Sequence, residues 1–330
     1  MTTKYRKTDH IKICLKEDVS AGSTGLESFS LEHRTLPEID LDDIDLSLKF
    51  LSKKLDYPIV IEGMTGGTEE GKKINRELAE LASEYNIGLG VGSQRAAIED
   101  PSVTDTFQVR DIAPDILFFG NLGAVQLNYG FGLEECRAAV DMIGADALAL
   151  HINPLQEAVQ PEGDTNFSGL EKKINHVAGK LKVPVIAKGV GSGLSFESAK
   201  KLNKVTCFDV GGVGGTSWPL VESFRGDENH RHLGKLYGGL GIPTAENIVQ
   251  LVKLKKPLIA SGGIRTGKEA AKAVALGADV VGMALPFLKA LKKDGKDGVR
   301  GLLDEFVSEL RIAMFLSGSK NLKELKGKAR

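Results

Sequence analysis

Eight times along this chain a short apolar run ends in glycine or a polar residue, and most of these runs lead into a helix-like stretch. That recurrence restricts the fold more than any other feature, because alternating strands and helices with right-handed crossovers build parallel sheets. The clearest case is Pro257-Leu258-Ile259-Ala260, an apolar run suited to a strand buried on both faces. Gly262 and Gly263 follow; lacking Cβ atoms, they allow close backbone approach and can present N–H groups to a ligand. Thr266 and Gly267 open a helix over 268–276 that Gly277 ends, and another strand, 279–283, stops at a second small-residue turn. Two adjacent turns of this kind late in a βα series are where (β/α)8 barrels bind phosphate.

The other strands are expected at 58–64, 87–92, 116–121, 147–153, 184–189 and 207–212. Helices are expected at 69–85, where Ile74, Leu78, Leu81 and Tyr85 share a face, and near 102–109, 133–143, 169–181 and 195–202, the last capped by Ser195. Eight such units close naturally into a (β/α)8 TIM barrel, with a doubly wound open sheet as the runner-up. The chain is expected to form a single domain. A polar leader, 1–57, lies against one end, with a short strand-like or helical segment near 46–51 and a solvated acidic run at 40–45. The barrel spans 58–298. A terminal helix covers 299–316, and the basic tail 320–330 is expected to fray. Residues 213–242 make the longest interruption and are read as a mobile cover over the site.

Composition narrows the function classes. A net charge of −1 offers no general basic surface for nucleic acid. No apolar run reaches the ~20 residues of a membrane span, and the N-terminus has no apolar segment of a secretory signal. Cys14, Cys136 and Cys207 are odd in number and far apart, which argues against a disulfide framework or a structural zinc site and for a cytoplasmic protein.

In such a barrel the chemistry sits at the C-terminal strand ends. There the sequence places Met64-Thr65-Gly66-Gly67, Ser93-Gln94-Arg95, Asn121, His151-Ile152-Asn153, Lys188, Gly211-Gly212, Gly262-Gly263 and Ala284-Leu285. A lysine closing a buried strand either pairs with a buried anion, serves as a catalytic amine or snorkels to solvent. Together with the phosphate turns, Lys188 suits flavin mononucleotide (FMN), whose electron-rich ring edge a lysine can bind. Pyridoxal phosphate would need a partner for its pyridine nitrogen, and none is evident. Glu157, near the mouth, could hold Mg²⁺ with substrate phosphates, although spacing alone favours a solvated loop charge. His151 could bind phosphate, act as an acid or be a hydrogen-bonded core histidine. Arg6-Lys7 could bind a diphosphate if the leader folds over the mouth. Cys207 reads as a small core residue, and His230 and His232 as surface.

These motifs resemble the type 2 isopentenyl diphosphate isomerases. The matching segments are Arg6-Lys7 with His10, Met64-Thr65-Gly66-Gly67, Gly90-Val91-Gly92-Ser93-Gln94-Arg95, Asn121-Leu122-Gly123, His151 through Glu157, Gly214-Gly215-Thr216-Ser217-Trp218 and the late glycine turns. They run in order along nearly the whole chain. The resemblance implies reversible conversion of isopentenyl to dimethylallyl diphosphate, using reduced FMN supplied through NAD(P)H, and Mg²⁺. It implies that the reduced flavin takes part in moving the proton, and it suggests a homo-oligomer, a tetramer or octamer. Carried over by position, Gln156 would be catalytic, beside the reacting carbons, and Glu157 would bind Mg²⁺. Arg6, Lys7, Ser93, Gln94, Arg95, His151, Asn153 and Gln156 would bind substrate. Met64, Thr65, Ser93, Asn121, Lys188, Thr216, Gly262, Gly263, Ile264, Ala284 and Leu285 would hold FMN. Two departures stand out: Asp9 precedes His10 where glutamate is expected, and Gly189-Val190 follows Lys188 where a glutamate is expected. The alternative on the same fold is an FMN-dependent 2-hydroxy acid oxidase or dehydrogenase. It would need a histidine base at the end of the seventh strand, where Ser261-Gly262-Gly263 stands instead.

Overall fold

The computed structural model describes residues 3–330, with side chains from Lys7 onward. It begins with helix α1 (Thr3–Lys16) and a hairpin, β1 (Leu48–Phe50) with β2 (Lys53–Leu55). The alternating series follows: β3 (Ile59–Ile61), α2 (Glu69–Glu84), β4 (Gly88–Gly90), α3 (Arg95–Glu99), β5 (Phe118–Gly123), α4 (Leu133–Asp141), β6 (Ala147–Ile152), α5 (Pro154–Val159) and α6 (Leu170–Lys180). Then come β7 (Val185–Gly189), α7 (Phe196–Lys201), β8 (Cys207–Asp209), α8 (Trp218–Ser223), α9 (Glu228–Tyr237), α10 (Thr244–Leu251), β9 (Leu258–Ser261), α11 (Gly267–Ala275), β10 (Val280–Met283), α12 (Leu285–Leu316) and α13 (Leu322–Leu325). Strands β3 to β10 form a closed parallel barrel, sealed by β10 pairing with β3. The eight expected units are therefore a (β/α)8 barrel rather than an open sheet.

Strand alternation divides the core into two layers. Val60, Phe119, Ala149, Ile186, Ile259 and Val280 fill the barrel interior, where Phe50 and Leu55 of the hairpin join them. Their neighbours Ile61, Phe118, Leu150, Ala187, Ala260 and Val281 face the helices. Because side chains alternate along a strand, two further residues inward place Glu62, Asn121, His151, Lys188, Asp209 and Ser261 on the interior side at the C-terminal mouth.

Three expectations fail. The tail does not fray: Leu322 and Leu325 are buried against Ile44, Leu46, Val274 and Met314, and Arg330 exchanges backbone hydrogen bonds with Ser30. Hydrophobic burial orders what a basic composition suggested would be loose. Residues 213–242 are not a loop. Ser217 caps α8 by accepting from the Leu220 N–H, and Asp227 caps α9 by accepting from the His230 N–H. The helix expected near 102–109 is a 3₁₀ segment, Pro101–Phe107, preceded by the short α3. The span Leu285–Leu316 is two helical stretches broken at Gly295 (φ 65°, ψ −153°), and the second of them contains the expected terminal helix. Among the described residues no helix is long and apolar enough to cross a membrane, and the three cysteines are free and buried.

The tail's burial gives a direct test. Leu325 is fully buried, so Leu325→Ala should cost about 2–5 kcal/mol in urea unfolding; a loss under about 0.5 kcal/mol, the range of ordinary surface substitutions, would mean that the tail is not held.

Candidate active site

At the centre of the mouth the Lys188 ammonium lies 2.7 Å from Glu62 Oε2 and 2.5 Å from Asp209 Oδ2. Asp209 is on the neighbouring strand, but β3 and β7 stand on opposite sides of the closed barrel, so the Glu62–Lys188 pair spans its lumen. Gly282 makes this possible, since a Cβ there would come within 2.1 Å of Glu62 Oε1. Asp209 also accepts a 2.5 Å hydrogen bond from the Ser261 hydroxyl, whose oxygen accepts from the Gly211 N–H. Burial first, and the Asp209 carboxylate second, push the Glu62 carboxyl up to about 7 against the pull of Lys188. Burial alone would depress the lysine; Asp209 and Glu62 outweigh it and hold its pKa above the ordinary value. Of the readings for Lys188, the structure selects pairing with buried anions.

Above this layer opens a cavity with about 270 Å³ of free space. One wall is made by the glycine turns. Gly262 (φ 101°) and Gly263 (φ 82°) lie so close to the loop after β8 that Cβ atoms would meet the backbone of Gly212 and Gly214 at 2.2 and 2.3 Å. The glycines are thus required for loop-to-loop contact as well as for an open turn. Arg265 borders this wall. Its Nη1 donates to the Ile264 carbonyl at 2.9 Å, and burial draws its pKa down.

The opposite wall is basic. The leader does fold over the mouth: α1 brings Lys7, His10, Ile11 and Cys14 to the cavity. The following segment is tied down by hydrogen bonds from Ser217 N to the Val19 carbonyl and from Ala245 N to the Thr24 carbonyl. Lys7 donates to the Ser93 carbonyl at 2.8 Å and stands 4.8 Å from the centroid of the Phe107 ring. Arg95 pairs with Glu99 and Asp164, each at 2.7 Å. His151 Nδ1 lies 2.8 Å from Asn121 Oδ1, which joins the two strand-end residues.

Between these walls sits a buried polar network. Gln156 donates to Glu222 Oε1 at 2.9 Å and accepts from Asn153 Nδ2 at 3.0 Å. Glu222, on α8, is fully buried, 2.9 Å from His10 Nε2 and paired with Arg225 at 2.6 Å. The Trp218 ring meets His10 edge-on at 5.0 Å. Burial opposes ionisation of Glu222, yet His10, Gln156 and Arg225 outweigh it and hold the carboxyl down at about 2. Glu157 is not a solvated loop charge: it is buried on α5 and accepts from Asn153, Gln160 and the Asp164 N–H at 2.8–2.9 Å. Burial lifts the Cys14 thiol to about 12, so it is no thiolate in this cavity.

Of the expected residues, Lys7, Met64, Ser93, Arg95, Asn121, His151, Asn153, Gln156, Glu157, Lys188, Thr216, Gly262, Gly263, Ala284 and Leu285 border the cavity. Three do not. Gln94 is fully buried behind the strands, donating to the Ala139 carbonyl and accepting from the Asn121 N–H, so its amide serves the backbone rather than a ligand. Thr65 is buried beneath the first turn, and Ile264 belongs to the helix-facing core. Arg6 lies outside the residues whose side chains are described. Sequence reasoning missed Glu62, Asp209, Glu222 and Arg265. The first two follow inward-facing apolar positions at a spacing of two, a signal hidden when strands are read as continuous apolar runs.

Comparison with known proteins decides the family. An isopentenyl-diphosphate delta-isomerase of Nostoc sp. is 52% identical over 98% of this chain and 94% of its own length. Proteins of that name from Pyrococcus furiosus (48%, covering 98% and 85%) and Ignicoccus hospitalis (45%, covering 100% and 94%) also align. The chain belongs to the isopentenyl-diphosphate delta-isomerase family. A family model described as FMN-dependent dehydrogenase matches residues 157–329. Solved structures share the fold. A mandelate oxidase variant aligns with TM-score 0.66 at 19% identity over 100% of this chain and 99% of its own. A flavocytochrome b2 variant aligns at 0.69 and 18% over 97% and 82%.

The Glu222 network predicts an acid-sensitive contribution to stability. Its folded pKa, about 2, lies below the ordinary 4.5; the contribution is therefore complete above pH 4.5 and disappears as pH falls toward 2. The wild type should exceed Glu222→Gln by about 3 kcal/mol at pH 6, and by much less near pH 3. A pH-independent difference in urea midpoints would contradict this.

Proposed function

We propose that the protein catalyses the reversible conversion of isopentenyl diphosphate to dimethylallyl diphosphate, with reduced FMN and Mg²⁺. The observation that carries this reading is one cavity in which a glycine wall with Lys188 faces a basic wall with the Gln156–Glu222 network between them. The first wall fits a flavin. Glycine turns and Arg265 suit its phosphate, Lys188 suits the electron-rich ring edge, and Met64, Ala284 and Leu285 supply small or apolar contact. Bound there, reduced FMN supplies ring nitrogens able to give and take a proton.

The residues of the chain do the rest. Lys7, Arg95 and His151 hold the diphosphate, for which Arg95 exchanges some of its pairing with Asp164. Glu157 would hold Mg²⁺, which would supply charge for the diphosphate. One carboxylate plus substrate oxygens is a common Mg²⁺ arrangement, and the neighbouring Asn153 Oδ1 is buried without a partner among the described residues. No group of three acidic, histidine or cysteine side chains able to hold a metal by themselves occurs among the described residues, which suits a metal that arrives with substrate. Gln156 is fixed by Asn153 and Glu222 and orients the isoprenyl end. The ionised Glu222 lies behind the cavity wall, paired with Arg225, and holds His10 and Gln156 in place there. The 2-hydroxy acid oxidase alternative lacks support: β9 ends in Ser261, whose hydroxyl is committed to Asp209, and full-length relatives carry the isomerase name.

Anaerobic incubation with FMN, Mg²⁺ and isopentenyl diphosphate, with and without NAD(P)H, tests the reading. Dimethylallyl diphosphate should form only when the flavin is reduced; no product with reduced flavin bound would overturn the assignment. Lys188→Ala should purify without FMN. Glu157→Gln should keep FMN and lose Mg²⁺-dependent turnover. Gln156→Ala should keep FMN while kcat falls roughly 10²-fold or more, the scale of one positioned polar group in a transition state.

A further inference from the structure

We propose that Glu62 is a proton-holding positioning residue: it takes up a proton when the ring edge of the cofactor beside Lys188 becomes anionic, and so holds the net charge of the buried layer at −1. The inference rests on the reading of the cavity as a flavin site, and it concerns a residue outside the expected cofactor contacts.

The two carboxylates that share Lys188 are not equivalent. Asp209 engages both oxygens with donors, the ammonium on Oδ2 and the Ser261 hydroxyl on Oδ1. Glu62 meets the ammonium through Oε2 alone, while its Oε1 is buried without a partner among the described residues. An unpartnered buried oxygen is the natural place for an added proton, since protonation removes a charge that nothing else stabilises. The ammonium has three donors, of which the two acids use two; one remains for the cavity that Lys188 borders.

Charge counting gives the consequence. With all three groups ionised, Glu62, Asp209 and Lys188 sum to −1. Two-electron reduction of a flavin with uptake of one proton leaves one negative charge on the ring edge facing Lys188. The buried layer would then hold −2, in an environment where charges act on one another far more strongly than in water. One proton on Glu62 restores −1. The balanced change is flavin plus two electrons plus two protons, one proton going to the flavin and one to Glu62, with the electrons from an external two-electron donor. The other groups facing the layer are His151 on β6, which is hydrogen-bonded to Asn121, and Cys207 on β8, whose thiol burial keeps well above its ordinary pKa. Glu62 itself is already lifted to about 7, so the uptake belongs to the range above pH 7; below it the carboxyl is protonated before reduction begins.

The test is a spectroelectrochemical titration of the full-length FMN-loaded protein between pH 7 and 9. Each proton taken up in a two-electron couple changes the midpoint by about 30 mV per pH unit. The wild type should fall by about 59 mV per pH unit while the reduced flavin keeps the absorption of its anionic form. Glu62→Gln, an isosteric change, should fall by about 30 mV per pH unit with the same absorption. A wild-type slope of one proton, a two-proton slope with the neutral reduced spectrum, or a Glu62→Gln protein that keeps the two-proton slope would each overturn the proposal. If Glu62→Gln does not fold, the wild-type slope and spectrum decide alone. Failure to bind FMN at all would instead overturn the flavin reading itself, and this inference with it.

Discussion

The Glu62–Lys188 pair crosses the lumen of the barrel, and much of the structure is a condition for it. Strands β3 and β7 are four places apart in the closed sheet, so the two side chains meet only because β10 returns to pair with β3. Each partner is costly to bury alone; removing one from such a pair typically costs about 3–5 kcal/mol because the other is left uncompensated. Asp209, Ser261 and the room left by Gly282 complete the arrangement. Below the layer the lumen is filled by apolar side chains and stoppered by Phe50 and Leu55. The polar end of the interior is therefore the mouth, where the cavity lies.

The mouth itself is assembled from parts distant in sequence. Helix α1 supplies Lys7 and His10, α5 supplies Gln156 and Glu157, and α8 supplies Trp218, with Glu222 buried behind it. Apolar residues such as Ile11, Val221 and Trp218 join these elements to the core but do not act alone. Ion pairs and hydrogen bonds add to the hold: His10 and Gln156 on Glu222, Arg225 on Glu222 and Glu162, and the backbone of 19–24 on the loop before α8 and the first turn of α10. A buried polar network fixes geometry more sharply than apolar contact of the same area. That suits a wall that has to present a diphosphate-binding face and an orienting amide at the same time.

The barrel was legible in the chain because its signal is local. Each strand is a short apolar run and each turn a glycine or polar stop, and eight repeats permit few closures. The order of the site residues was legible for the same reason, since strand ends converge in any such barrel. Read residue by residue, that logic placed Lys188, Asn121 and His151 correctly at the mouth. It also drew in Gln94, which sits between motif residues yet turns its amide to the Asn121 N–H.

What the chain could not show by itself depends on partners remote in sequence. Glu62 and Asp209 look like ordinary polar strand ends until closure of the barrel sets them on one ammonium. Glu222 looks like the start of a charged surface stretch until α1 and α5 cover it. The basic tail looks loose until Leu322 and Leu325 find Ile44 and Met314. Local pattern determined which segments form strands and helices and which end of each carries chemistry, because periodicity and turn preference act over a few residues. Tertiary structure alone decided which charges are buried, what they pair with and therefore how they titrate, because desolvation and Coulomb interaction depend on neighbours that only the closed fold supplies.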